Sequence, residues 1–417
     1  MKLLIKNIKT LAQVHDRPIK FLAGPSMKKL KTINNAWLAI ENGKIAGLGS
    51  MKDWEGISDW TDLEVLDATG KMVLPCWCDS HTHLVYAGSR EGEFADRIKG
   101  MSYEEIAARG GGILNSAQRL RLASEDELVE SAQTRLDEII SQGTGAVEIK
   151  SGYGLSVESE LKMLRVIRTL KQTNAVAIRS TFLGAHAVPP EFTGRKTDYI
   201  KVLIQELMPE IQKQKLADYC DVFCENNYFT PDETKEILEA GKKHGMRPKV
   251  HAEQLSNSGG VLAGVKCGAV SVDHLEYVGD AEIEALGDSG TMPTILPGAA
   301  FFLSLPHPPA RKMIDAGLPL ALASDYNPGS SPSGNMNLMI SIACIQYHMT
   351  PDEAINAATI NSAYAMGLHE THGTIAVGKT ANVFITKEIP SIAFIPYSFG
   401  SNLIETVILN GKIAFNS

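Results

Sequence analysis

An alternation constrains this chain more than any other feature. Eight short apolar, strand-like runs recur along it: "MVLPCWCDSH" from Met72, "GAVEIKS" from Gly145, "AVAIRSTFLGAH" from Ala175, "ADYCDVFCE" from Ala217, "MRPKVHAE" from Met246, "AVSVDHLE" from Ala269, "TMPTILPG" from Thr291 and "PLALASDYN" from Pro319. Segments of helical period separate most of them, among them "SEDELVESAQTRLDEIISQG", "SVESELKMLRVIRTLKQ" and "TPDETKEILEAGKKHG". The first and third open with Ser or Thr ahead of acidic residues and end at Gly, as capped helices do. Eight strand–helix units in roughly 290 residues predict a (β/α)8 barrel with insertions, the main competitor being a doubly wound open sheet.

The two ends of the chain resemble each other. "ENGKIAGLG" from Glu41 and "LNGKIAF" from Leu409 both place Asn-Gly between strand-like segments, the signal for a tight hairpin. "GTIAVGKTANVFIT" from Gly373 is more strand and turn of the same kind. The expected organisation is therefore an α/β chain in three stretches: residues 1–71 and 371–417 as two parts of one small β-sandwich domain, and 72–370 as the barrel.

Polar residues cluster at the C-terminal ends of the runs, and this favours the barrel. His81 and His83 end the first run, Lys150 the second, His251 the fifth, His274 the sixth and Asp325 the eighth, with His186 just past the third. In a barrel these ends form one rim, where such folds carry out chemistry, whereas an open sheet spreads them along an edge. Residues i and i+2 of a strand share a face, so "HTH" aims two imidazoles at one point. His81, His83, His251 and Asp325 make a mononuclear metal site with nitrogen and carboxylate donors, suited to Zn²⁺ with Fe or Mn as alternatives. Such an ion lowers the pKa of a bound water from ~16 to ~7. Asp325 is positioned to ligate and to move the water's proton, and His274 to polarise a substrate carbonyl. His15, His244, His307, His348, His369 and His372 fall in segments read as loop, turn or helix and are assigned no role.

Composition removes several classes. The chain has 417 residues, 44% of them hydrophobic, and a net charge of −8 with no basic block, so nothing points to nucleic acid. The N-terminus lacks an uninterrupted apolar stretch and a small-residue cleavage site, and no run is long enough to span a membrane. Six cysteines in such a length do not make a disulfide framework, and Cys76 and Cys78 read as small buried strand residues. A cytoplasmic protein with reduced thiols is expected, with a small-molecule substrate as its partner and a homodimer allowed.

"DSHTHL", "VHAEQ", "VDHLE" and "ASDYNPGS" resemble the metal motifs of the amidohydrolase superfamily, and "GTIAVGKTANV" resembles its C-terminal β-domain signature, with Asn382 where Asp is usual. "AGSREGEFADRIKGMSYEEIAARGGGI", "EIKSGYGLSVESELKMLRVI", "TFLGAHAVPPEF", "PGAAFFL" and "LASDYNPGSSPSGNM" resemble one branch of it, whose members open an imidazolone ring in histidine degradation. The resemblance spans nearly the whole chain. It implies a metal-dependent hydrolase that cleaves a ring C–N bond of an imidazolone propionate. The substrate's carboxylate calls for a cation on the rim, and Arg90 is suited to a bidentate pair. Tyr153 and His186 are expected to contact the ligand, and Asn327, Gly329 and Ser330 to line the pocket.

Two departures stand out. Gln254 occupies a position where some members carry Glu, and a neutral amide orients but does not act as a base. Cys76, in "PCWCD", takes a usual glycine position. Binuclear relatives carry a carbamylated lysine at the end of strand four. Here that run ends in "FCEN" and Lys150 lies on the second run, which implies a single metal with Lys150 as a nearby cation. The competing functions are another mononuclear amidohydrolase, acting on a cyclic amide or a nucleobase, and a non-catalytic binding protein on the same barrel.

Overall fold

The computed structural model describes residues 2–57, 61–101, 105 and 111–417. Part of the family-like stretch from Ala87 to Ile113, residues 102–104 and 106–110, lies outside the described residues. Both termini build one sheet from β1 (Lys2–Ala12), β2 (Thr32–Glu41), β3 (Lys44–Ser50), β4 (Leu63–Asp67), β5 (Met72–Pro75), β14 (Val383–Thr386), β15 (Ile404–Leu409) and β16 (Lys412–Asn416). The order is β16-β15-β14-β5-β1-β2-β3, with β4 pairing with the first half of β1 and β5 with its second half. Leu3, Ile5, Ile8, Leu38, Ile40, Val73, Val383 and Ile408, from both ends of the chain, share its core.

Both Asn-Gly hairpins form as the sequence predicts. Asn42 and Gly43 have φ of 50° and 78°, and Asn410 and Gly411 have 51° and 74°, the left-handed pair such turns require. The two turns also touch: a Cβ on Gly43 would meet the Asn410 carbonyl oxygen at 2.9 Å. Asn382, in place of the usual Asp, accepts from the Asn410 N–H through Oδ1 at 2.7 Å, while its Nδ2 is buried without a partner.

The barrel strands are β6 (Trp77–Thr82), β7 (Thr144–Lys150), β8 (Ala177–Ala185), β9 (Tyr219–Cys224), β10 (Arg247–Ala252), β11 (Ser271–His274), β12 (Met292–Ile295) and β13 (Ala321–Leu322), parallel and paired in chain order. The chain after β13 returns to β6. The Asp325 N–H donates to the His81 carbonyl at 3.0 Å, and the His83 N–H to the Tyr326 carbonyl at 2.9 Å. Asp79 adds its carboxylate, accepting from the Ser324 N–H at 3.0 Å and hydroxyl at 2.5 Å. This is a closed barrel rather than an open sheet.

Leu136, Leu164, Ile167, Ile237 and Leu238 of the surrounding helices pack against the outside of the strands, each fully buried aliphatic side chain contributing about 1.5–3 kcal/mol. The helices Glu125–Ser141 and Pro231–Lys243 start with full capping boxes at Ser124 and Thr230, as read from the sequence.

The run from Met72 is two strands rather than one. Met72–Pro75 pairs with β1 and β14 in the terminal sheet, and the barrel begins at Trp77. The break falls at Cys76, which lies outside the positive-φ region and strains no backbone. Gly145 opposite makes room for it, since a Cβ there would lie 2.4 Å from the Cys76 Cβ. Trp77 then packs on Phe384 of β14 at 4.8 Å between ring centres and couples the two sheets.

Candidate metal centre and substrate cavity

The strand ends bring His81, His83, His251, His274 and Asp325 together, all buried. Asp325 Oδ1 lies 3.6 Å from His81 Nε2 and 3.5 Å from His83 Nε2. Two overlapping groups have donor atoms mutually within 4.8 Å: His81, His83 and Asp325, and His81, His251 and His274. The sequence placed His274 only as a polarising group, yet the geometry brings it into ligand range as well. His274 and Asp325 take left-handed backbone, with φ of 92° and 55°, a costly conformation that concentrates at functional sites.

The imidazoles are aimed from behind. His81 Nδ1 is 2.7 Å from Asp273 Oδ2, and His251 Nδ1 is 3.0 Å from Asp221 Oδ2. Asp273 holds the His81 Nδ1 proton and leaves that ring's Nε2 lone pair facing the centre, while Asp221 sits beside His251 Nδ1 and accepts the His251 backbone N–H at 3.2 Å. The Nε2 atoms of both rings are buried without any hydrogen-bond partner. Such orphaned acceptors around a carboxylate fit a cation. Burial, then the charges of Lys150 and His251, pushes His81 well below the usual range, and burial with His186 does so for His83. Neutral imidazole is the ligating form.

Lys150 is not a ligand. Its Nζ lies 2.6 Å from Glu148 Oε1, 2.7 Å from Asp221 Oδ2 and 3.8 Å from Asp273 Oδ2, fully buried inside the barrel. Lys249 completes the cluster by pairing with the other Glu148 oxygen. The lysine thus bridges the two carboxylates that hold His81 and His251.

Above the centre lies a cavity of about 500 Å³ whose wall includes every expected ligand-contact residue: Arg90, Tyr153, His186, Gln254, Asn327, Gly329 and Ser330. None of the six histidines assigned no role lines it. His186 donates from Nδ1 to the Gly152 carbonyl at 3.0 Å, so its Nε2 is an acceptor, and burial lowers its pKa to about 3. Its ring stacks on His83 at 5.5 Å and 19°. Tyr153 packs beside both rings, at 5.7 Å from His83 and 5.5 Å from His186.

Two expected pocket residues act mainly on their neighbours. Asn327 accepts the Gly329 and Ser330 N–H groups at 2.8 Å each and shapes the turn. Ser330 donates its hydroxyl to Asp325 Oδ2 at 2.9 Å, so the second carboxylate oxygen is hydrogen-bonded while Oδ1 lies nearest His81 and His83. Gly329 is dictated by close approach: a Cβ there would lie 2.2 Å from Arg90 Nη1.

Sequence reading missed Asp221, Asp273, Glu160 and Glu93. Glu160 is buried and accepts the N–H groups of Gly154 at 2.7 Å and Leu155 at 3.0 Å, which holds the Tyr153 loop. Each missed residue carried a signal: an acid inside an apolar run for Asp221 and Asp273, and an acid in a first helical turn after a special loop for Glu160 and Glu93.

Barrel, rim cluster and terminal sheet together define a metal-dependent hydrolase of the barrel type, and residues 72–414 match the Amidohydrolase family. The chain belongs to that family. Along its whole length it falls among the imidazolonepropionases. It is 57% identical to the imidazolonepropionase of Christiangramia forsetii, covering 99% of this chain and 100% of that one. It is 45% identical to that of Geobacillus kaustophilus, covering 95% and 93%. E. coli guanine deaminase superposes with a TM-score of 0.76 over 100% of this chain and 99% of that one, at 13% identity, a likeness of fold alone.

Proposed function

We propose that the protein hydrolyses the ring C–N bond of 4-imidazolone-5-propanoate to give N-formimidoyl-L-glutamate, with one metal ion, Zn or Fe, held by His81, His83, His251 and Asp325. The observation that carries this reading is a single cavity with His83, His251, His274, Asp325 and Arg90 in its wall. When bound, the ion supplies a Lewis acid and acidifies a water to a pKa of ~7.

The chain's own residues do the rest. Arg90 binds the propionate carboxylate, and Tyr153 and His186 hold the ring, the His186 Nε2 accepting a ring N–H. His274 donates toward the carbonyl oxygen where negative charge develops. Asp325 takes the proton of the attacking water and returns it to the ring nitrogen as the C–N bond breaks and the C–O bond forms. Burial raises the Asp325 pKa against the lowering influence of His274, His251 and the Ser330 hydroxyl, which suits a group that must gain and lose a proton. Gln254 orients the ligand.

Six unpaired cysteines support a reducing, cytoplasmic setting. No helix among the described residues is long and apolar enough to cross a membrane.

Arg90→Ala is expected to lower kcat/KM by an amount equivalent to about 2–5 kcal/mol, mostly through KM. Unchanged kinetics would remove Arg90 from the site. A panel that scores ring opening against ammonia release separates this reading from a nucleobase aminohydrolase.

A further inference from the structure

Arg90 is itself held, and the group that holds it is not part of any step above. Glu93, one helical turn later in the helix Glu91–Ile98, accepts from Arg90 Nε at 2.8 Å and Nη2 at 2.6 Å through Oε2. Its other oxygen accepts from the Gly112 N–H and from Asn115 Nδ2, both at 3.1 Å. One carboxylate therefore ties the guanidinium to the chain that starts the helix Ile113–Leu122. The loop leading to Arg90 is pinned as well: Arg135 Nη1 donates to the Leu84 carbonyl at 2.8 Å, and Arg119 Nη1 to the Ser89 carbonyl at 3.0 Å. Both Arg90 and Glu93 line the cavity. With Nε and one Nη2 hydrogen on Glu93, the Nη1 side, which lies over Gly329, is left clear of Glu93.

From these contacts we infer that Glu93 is a positioning residue for substrate recognition, fixing both the place and the presented edge of Arg90 and thereby selecting a ligand whose carboxylate sits one short chain from its ring. The inference rests on the carboxylate-recognition reading above. The physical reason is preorganisation. A free arginine side chain gives up rotamer freedom on fixing, and a pre-formed fork has already lost it before the ligand arrives. Glu93 also restricts the guanidinium: with it in place, a carboxylate approaching from the helix side finds the donors taken.

The test uses full-length, metal-loaded protein and two probes, imidazole-4-propanoate and 4-methylimidazole, which lacks the carboxylate. Binding of each is measured to wild type, Glu93→Gln, Arg90→Lys and the double variant, alongside KM and kcat for the imidazolone propionate. The expected result for Glu93→Gln is about tenfold weaker binding of imidazole-4-propanoate and a similar rise in KM, the scale of one mispositioned charge-assisted contact. Binding of 4-methylimidazole and kcat stay within about twofold. The effects of Glu93→Gln and Arg90→Lys are non-additive, because one acts through the other.

Equal loss for both probes, or additive effects in the double variant, overturns the inference and reduces Glu93 to a structural ion pair. If Glu93→Gln fails to fold, Asn115→Ala, which removes one donor to Glu93 and leaves the pair with Arg90, must show the same selective weakening of the carboxylate probe in smaller degree, and its absence overturns the inference. If wild type itself does not prefer imidazole-4-propanoate, the carboxylate reading of the cavity fails. If wild type prefers it and Glu93→Gln prefers it equally, only the role of Glu93 fails.

Discussion

Asp325→Asn is expected to abolish turnover, lowering kcat by about 10⁴, the upper range for a lost acid–base group, while some metal remains bound. The substitution is nearly isosteric. The backbone there is left-handed, with φ of 55°, and Asn tolerates that region better than most residues. Fold and turn should therefore survive, so the loss reads on chemistry. Two functions go at once: the charge that faces His81 and His83 Nε2 at 3.6 and 3.5 Å, and the proton acceptor. Metal content and kcat measured on the same preparation check this. If the variant keeps both, the proton goes elsewhere, and His274 or His186 becomes the base.

The second large effect is expected at Lys150. Lys150→Met removes the cation beside Asp221 and Asp273, Glu148 keeping Lys249, and the loss of a buried charge partner costs about 3–5 kcal/mol. The loss should also reach the metal. Asp221 and Asp273 hold the Nδ1 sides of His251 and His81, and disturbing such partners typically weakens metal affinity about 10- to 100-fold. The denaturant midpoint must therefore fall while the metal dissociation constant rises. A destabilised protein with unchanged metal affinity would show that Lys150 merely neutralises the barrel interior.

What the sequence made legible follows from periodicity. His81 and His83 share a strand face by spacing alone, Ser124 and Thr230 announce their helices by capping chemistry, and Asn42-Gly43 and Asn410-Gly411 announce their hairpins by backbone demand. All of these are local. The features that escaped depend on strands meeting in space. Lys150 on β7 finds Asp221 on β9 and Asp273 on β11, a contact between residues 71 apart in one case. The division of the first run at Cys76 was equally hidden, because only the facing Gly145 makes room for the side chain. Glu93 shows a third kind of limit. Arg90 read as a fork open to a substrate carboxylate, but a residue three positions on already occupies one edge of it.

The most direct test of the central claim follows the absorbance of imidazolone propionate after addition of purified protein, with a fully chelated sample beside it. The account predicts loss of absorbance with the metal-loaded protein, none after chelation, and recovery when Zn or Fe is restored to about one ion per chain. Turnover that survives complete metal removal, or that requires about two ions per chain, would contradict it.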